Sequence, residues 1–152
     1  MEALNVLRIE KGFITHAEIH GRITAFDLGM QGMMSSKKDF IGKTAAMRKG
    51  LLEEDREQLV GLKPLNSDGK LFAGSFLFGL DSQPVRVEQI GYTTSVGFSA
   101  ELGSMLGLGF LKNGRTRSGE KIKVVDHLRN SETICEVCDP VFIDRKGSRA
   151  RD

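Results

Sequence analysis

Several residues of this 152-residue chain have types and spacings that could do chemistry. Arg8 lies in Leu7-Arg8-Ile9-Glu10-Lys11-Gly12. A guanidinium stays charged at physiological pH and offers a planar fork of donors that grips a carboxylate with two bonds, which lysine cannot reproduce. The competing reading is an arginine that lays its methylenes along a helix flank with its head in water. Glu10 could orient Arg8, or form a surface pair worth less than about 1 kcal/mol. His16 and His20 flank Glu18 at i, i+4 spacing, and Cys135-Glu136-Val137-Cys138 is a C-x-x-C. Together the four could compose a zinc site, but the pairs are far apart in the chain, and in a strand the two cysteines point to opposite faces. No metal site is therefore expected. Gly103, Gly107 and Gly109 lack the order of a phosphate-binding glycine loop and precede no helix, so they read as strand glycines at bulges or close contacts. No serine, histidine and carboxylate set suggests nucleophilic hydrolysis, and no catalytic residue is assigned.

These residues need elements to hold them. Glu2 to Lys11 reads as a short helix closed by Lys11 in its last turn and Gly12 beyond it. Leu4, Val6, Leu7 and Ile9 spread apolar surface over most of its sides, so it needs cover. A second helix is expected over Phe40 to Lys49, with Asp39 as N-cap and Gly50 as its close. From Gln58 the pattern changes to short strand-like runs: Gln58–Leu62, Leu71–Phe78, Val87–Thr94, Met105–Leu111, Lys121–Val125 and Thr133–Val137. Asn66-Ser67-Asp68-Gly69, Lys112-Asn113-Gly114 and Arg129-Asn130-Ser131 separate some of them with residue types that turn easily. Six short strands without intervening helices favour a small barrel or sandwich over an open sheet with exposed edges. The charged run Leu51 to Glu57 marks an internal boundary, and the preceding ~55 residues are too few to stabilise a core alone, so they must pack on something else.

Composition narrows the classes. An apolar share of 39% with 22 basic and 20 acidic residues describes an ordinary globular protein. A formal charge of +2 does not point to nucleic acid, and the basic cluster Arg145, Lys146, Arg149 and Arg151 reads as a solvated tail. No apolar run reaches the roughly 18 residues that cross a bilayer, the N-terminus lacks a basic region before an apolar one, and two cysteines agree with a reducing compartment. A cytoplasmic protein that touches neither membrane nor nucleic acid is expected.

The stretches Ala3–Gly12, Thr15-His16-Ala17-Glu18-Ile19, Asp27-Leu28-Gly29-Met30 and Lys37–Lys43 follow one another in an order and spacing that resemble the α subunits of heterotetrameric sarcosine oxidases. Asp55–Leu62, Ile90–Ser95 and Asp139–Asp144 resemble the C-terminal β domain of the same family. The helix with Leu-Arg-x-Glu-x-Gly and the Asp-Phe-Ile-Gly-Lys segment are shared with a wider group that includes the aminomethyltransferase T-protein of glycine cleavage. The resemblance covers nearly the whole chain. It implies an α+β architecture, an incomplete α/β folate-binding remnant over residues 1–55 followed by a small antiparallel β-barrel over residues 56–152.

It also implies a function. The chain would be the C-terminal piece of a sarcosine oxidase α subunit, inactive alone, that helps form the site where tetrahydrofolate captures the one-carbon unit of oxidised sarcosine. Arg8 is the folate-site residue carried over, since the family places this arginine near bound folate or amino acid. FMN, FAD and NAD would be held by parts that this chain lacks, and its partners would be the β, γ and δ subunits. Thr15 to Ile19 would form a loop near the folate-side surface. Met30, Met33 and Met34 form an apolar cluster where the family usually has a tryptophan near Gly32, so stacking on a pterin there is not expected. Without upstream neighbours, residues 1–50 would expose apolar surface and drive self-association. The competing readings are a fragment of a T-protein-like aminomethyltransferase and a non-catalytic β-barrel that binds or assembles partners.

Overall fold

The computed structural model describes residues 2–151. Six strands close into a barrel: β1 (Glu57–Pro64), β2 (Phe76–Gly79), β3 (Gly91–Ser99), β4 (Ser104–Lys112), β5 (Lys121–Asp126) and β6 (Ser131–Cys138). They run in the order β1-β4-β3-β2-β5-β6, antiparallel at every pairing, with β6 returning to β1. Closure leaves no free sheet edge, the need that six helix-free strands create. Val60, Leu62, Leu71, Leu77, Leu111, Ile122, Val124, Cys135 and Val137 fill the interior. Each large aliphatic among them contributes about 1.5–3 kcal/mol through burial. Gly107 and Gly109 face this interior, where an added Cβ would press on Leu62 of the neighbouring strand β1, so their lack of a side chain makes room for that leucine. Asn113 and Asn130, both at positive φ, make the turns after β4 and before β6.

Strand β4 is buried on both faces because a second layer covers its outside. Leu106, Leu108 and Phe110 of β4 and Leu59 of β1 join Ile9 in an outer cluster, flanked by Ile14, Ile23, Leu28, Tyr92 and Phe142. Part of the cover that the N-terminal segment needs is thus the barrel wall itself, which buries Ile9 while Leu4 and Leu7 stay exposed. Helix α1 (Glu2–Glu10) lies against β3 and β4. It ends as its sequence indicates: Gly12 sits at φ 67, Phe13 N–H donates to Arg8 C=O (2.7 Å), and Gly12 N–H donates to Ile9 C=O (2.9 Å). Those two bonds satisfy terminal carbonyls of the helix in the paired pattern that a left-handed glycine permits. A side chain at Gly12 would collide with the Pro140 carbonyl, so glycine is required here sterically as well as conformationally.

Five expectations need correction. The helix over Phe40 to Lys49 shrinks to one turn, α2 (Lys43–Ala46), because Gly42 at φ 92 is left-handed and separates Asp39 from the turn it would cap. The long run Leu71–Phe78 is a strand only from Phe76, after Gly74 at φ 83 breaks the chain direction, and the run beginning at Val87 starts as a strand only at Gly91. Gly103 is a turn residue at φ 62 in the β3–β4 hairpin, not a strand glycine. The methionines form no buried cluster; Met33 is exposed and Met30 and Met34 are half-buried.

Candidate functional site

Arg8 lies on the face of α1 that meets β3, and every N–H of its guanidinium has an acceptor. Nε and Nη2 both donate to Asn5 Oδ1 (3.0 and 2.8 Å), and Nη2 also donates to Ser95 Oγ (2.8 Å). Nη1 is held more loosely, 3.4 Å from both Phe13 C=O and Glu18 Oε2. The side chain is 14% exposed and that of Glu18 is fully buried. Asn5 is one turn before Arg8, so α1 itself clamps the Nε edge, and the helix-ending turn brings Phe13 C=O to the opposite corner.

Glu18 belongs to a turn in which Thr15 N–H (2.8 Å) and Thr15 Oγ1–H (3.1 Å) donate to Oε2. Its other oxygen, Oε1, accepts the hydroxyl of Ser95 at 2.5 Å. Burial pushes the Glu18 carboxyl up, but the bonds from Ser95 and Thr15 and the positive Arg8 outweigh it and hold the group below the usual glutamate range. Ser95 reaches this place because β3 carries a bulge between Thr93 and Ser95. Without the extra residue, Tyr92 and Ser95 would face opposite sides; with it, both pair with outward residues of β4, Phe110 and Leu108. Tyr92 in turn meets His20, whose Nε2 lies 3.2 Å from the phenolic oxygen.

A second acid–arginine pair repeats the construction nearby. Asp27 Oδ2 accepts Thr24 N–H (2.8 Å) and Thr24 Oγ1–H (2.9 Å), and Arg56 grips the carboxylate with Nε on Oδ1 (2.8 Å) and Nη2 on Oδ2 (2.6 Å). Arg56 also donates to Arg22 C=O at 2.9 Å. Burial raises the Asp27 pKa, and the bonds from Arg56 and Thr24 more than reverse it, so the carboxylate is held low. This pair ties residues 22–27 to the first residue before β1. Lys11 makes a third tie, donating to Asp144 C=O at 2.6 Å and to its carboxylate at 3.3 Å.

Glu10 neither orients Arg8 nor lies on the surface: it is buried, and its Oε1 accepts the Ser99 hydroxyl at 2.6 Å. Glu18 takes the orienting part instead. Its sequence signal is the Thr15-x-x-Glu18 spacing, repeated as Thr24-x-x-Asp27, in which a threonine and an acid three residues on satisfy each other's turn. His16, His20, Cys135 and Cys138 are not brought together, and among the described residues no group of three or more His, Cys, Asp or Glu could hold a metal ion. Cys135 faces the barrel core, and burial pushes both thiols up to about 12. In the tail, Arg145 and Arg149 are paired to Asp139 and Glu101. Among the described residues no helix is long and apolar enough to cross a membrane.

Comparison with known proteins agrees with this architecture. The model of the glycine cleavage T-protein C-terminal barrel domain matches residues 57–144, the six strands and the segment that folds back on α1. Over 150 residues the chain is 41% identical to sarcosine oxidase subunit alpha of Rhizobium meliloti (strain 1021), a match that takes in 98% of this chain and 15% of that protein. It is 38% identical over 154 residues to sarcosine oxidase subunit alpha of Corynebacterium sp. (strain U-96), with 97% and 15% covered. The chain thus spans about one seventh of the length of these relatives, 15% in each. The solved structure of the glycine cleavage system aminomethyltransferase T from Bartonella henselae superposes with a TM-score of 0.78 over 94% of this chain and 38% of that one, at 22% identity, which establishes a shared fold. With a closed six-stranded barrel whose strands the family model spans, this chain belongs to the glycine cleavage T-protein C-terminal barrel family, and nearly its whole length is similar to one part of the sarcosine oxidase α subunits.

Proposed function

We propose that this chain acts as part of a sarcosine oxidase α subunit and helps form the site where tetrahydrofolate captures the one-carbon unit of oxidised sarcosine as methylenetetrahydrofolate. Its nearly full-length similarity to subunits of that name supports an oxidoreductase assembly over a free-standing aminomethyltransferase, with which only the fold is shared. Residues 1–55 are the end of the folate-binding domain in this reading, and residues 56–152 are the barrel that braces it. The β, γ and δ subunits and the parts that hold FMN, FAD and NAD supply the oxidation of the amine.

Arg8 is the observation that carries the proposal. It is the one residue the resemblance points to, and it sits half-buried at the junction of α1 and the barrel with its Nε edge fixed and its Nη1 corner held only by two 3.4 Å contacts. A ligand carboxylate replaces those weak contacts without disturbing the strong ones. Exposed Leu4, Leu7, Phe13, Met33 and Ile41 form apolar surface that the rest of a longer subunit covers, and that self-association covers when this chain is alone.

The test uses the assembled oxidase turning over sarcosine. With Arg8→Ala, peroxide production continues while folate capture drops and formaldehyde takes the place of methylenetetrahydrofolate. Unchanged partition between the two one-carbon products, at folate concentrations below saturation, refutes the folate role.

A further inference from the structure

We propose that Glu18 and Ser95 are positioning residues that aim the guanidinium of Arg8 at its ligand, so that the barrel takes part in ligand recognition through a bulge in β3. The inference rests on the folate reading of Arg8. Three features of the geometry lead to it. Ser95 Oγ donates its only hydrogen to Glu18 Oε1 (2.5 Å), so the oxygen can present nothing but a lone pair to Arg8 Nη2, 2.8 Å away. The direction of that serine is therefore dictated by Glu18.

Glu18 in turn has no freedom. It is fully buried, its Oε2 is fixed by two bonds from Thr15, and the same oxygen stands 3.4 Å from Nη1. Among the described residues its carboxylate is the one acid that touches the guanidinium, and that charge lets a cation sit in a half-buried place before any ligand arrives. Finally, the bulge at β3 is what turns Ser95 outward at all. A strand that kept its register would bury this hydroxyl position in the apolar interior and leave Nη2 with Asn5 alone. A bulge that re-aims a side chain toward a site is a recurrent device, and here the re-aimed side chain contacts the candidate ligand-binding arginine.

A simple structural tether between α1 and the barrel predicts a different outcome, because a tether needs stability only. The experiment is a mutant cycle in the assembled oxidase with Arg8→Ala, Glu18→Gln, Ser95→Ala and the pairs Arg8→Ala/Glu18→Gln and Arg8→Ala/Ser95→Ala. Both Glu18→Gln and Ser95→Ala are near-isosteric and leave Asn5 and Thr15 in place. The readouts are the KM for tetrahydrofolate in one-carbon capture, the peroxide rate, and the melting temperature. Each single variant is expected to raise that KM about tenfold, the size of one hydrogen bond to a charged group, with the peroxide rate unchanged. The double variants are expected to be no worse than Arg8→Ala alone, since residues that act through Arg8 have nothing to aim once it is gone. If Arg8→Ala leaves the KM unchanged, the folate reading itself falls. If Arg8→Ala raises it while Glu18→Gln and Ser95→Ala do not, or if the effects add in the double variants, the folate reading stands and the positioning inference is wrong.

Discussion

Replacing Arg56 with methionine keeps an apolar stem of similar length against the barrel rim and removes only the charged fork. What remains is Asp27, 2% exposed, with its two bonds from Thr24 but no cation. Breaking a buried pair from one side costs about 3–5 kcal/mol, and the surviving Thr24 bonds place this case at the lower end, about 3 kcal/mol. Urea denaturation at neutral pH reads this as a midpoint lowered by about 1 M or more, given a slope of roughly 2 kcal/mol/M for a chain of this size. The pH dependence supplies a second, independent check. In the parent protein the Asp27 pKa is depressed, so its stabilisation is present above the unfolded value of about 3.9 and is lost as pH falls through the lower folded value. In Arg56→Met burial acts without Arg56, the folded pKa rises, and the buried carboxyl becomes neutral at a higher pH than in the parent. The gap between the two proteins therefore narrows on acidification from about pH 7 to about pH 4. A deficit below about 1 kcal/mol, or one that stays constant across that range, would mean that residues 22–27 are not held to the barrel by this pair.

Gly91 opens β3 under the backbone of β4, where an added Cβ would run into the Phe110 carbonyl oxygen and press on Leu111 Cα and Leu77 Cδ1 at 3.0 Å. Gly91→Ala is expected to cost more than about 2 kcal/mol in the same urea assay, and a change under about 0.5 kcal/mol would show that the β3–β4 spacing is slack. Both thiols, raised to about 12 by burial, should be alkylated at pH 8 at least about 100-fold more slowly in the folded protein than in urea. Rapid folded-state labelling of Cys138 by iodoacetamide, followed by mass spectrometry, would contradict its placement against Gly61 and Phe142.

Much of this architecture was legible along the chain because it rests on local chemistry. Strand-like runs and turn residues marked β1, β4, β5 and β6 within about two positions, while the runs for β2 and β3 began four or five positions too early. Lys11 and Gly12 marked the end of α1, and the odd spacing of Cys135 and Cys138 separated their side chains. The expected helix over Phe40 to Lys49 failed where a purely local signal competed with glycine: Gly42 could join a helix or reverse the chain, and it reverses it. Arg8 was singled out from a motif and Asn5 lies one turn before it, yet nothing in that motif pointed to its partners from outside the helix. Those partners, Glu18 and Ser95, lie 10 and 87 positions away.

Sequence by itself therefore determined the strand set, the helix stop and the need of the segment before β1 for an outside surface, and it pointed to Arg8 as the residue to propose for a carboxylate. Only the tertiary structure decided that the barrel's own outer wall supplies much of that surface, that Glu10 turns to Ser99 while Glu18 holds Arg8, and that Ser95 faces outward at all. The physical reason is register. A period-two pattern assigns each residue of a strand to a face only until a bulge intervenes, and the bulge between Thr93 and Ser95 exists because of how β3 pairs with β4, a relation between residues that no local window contains.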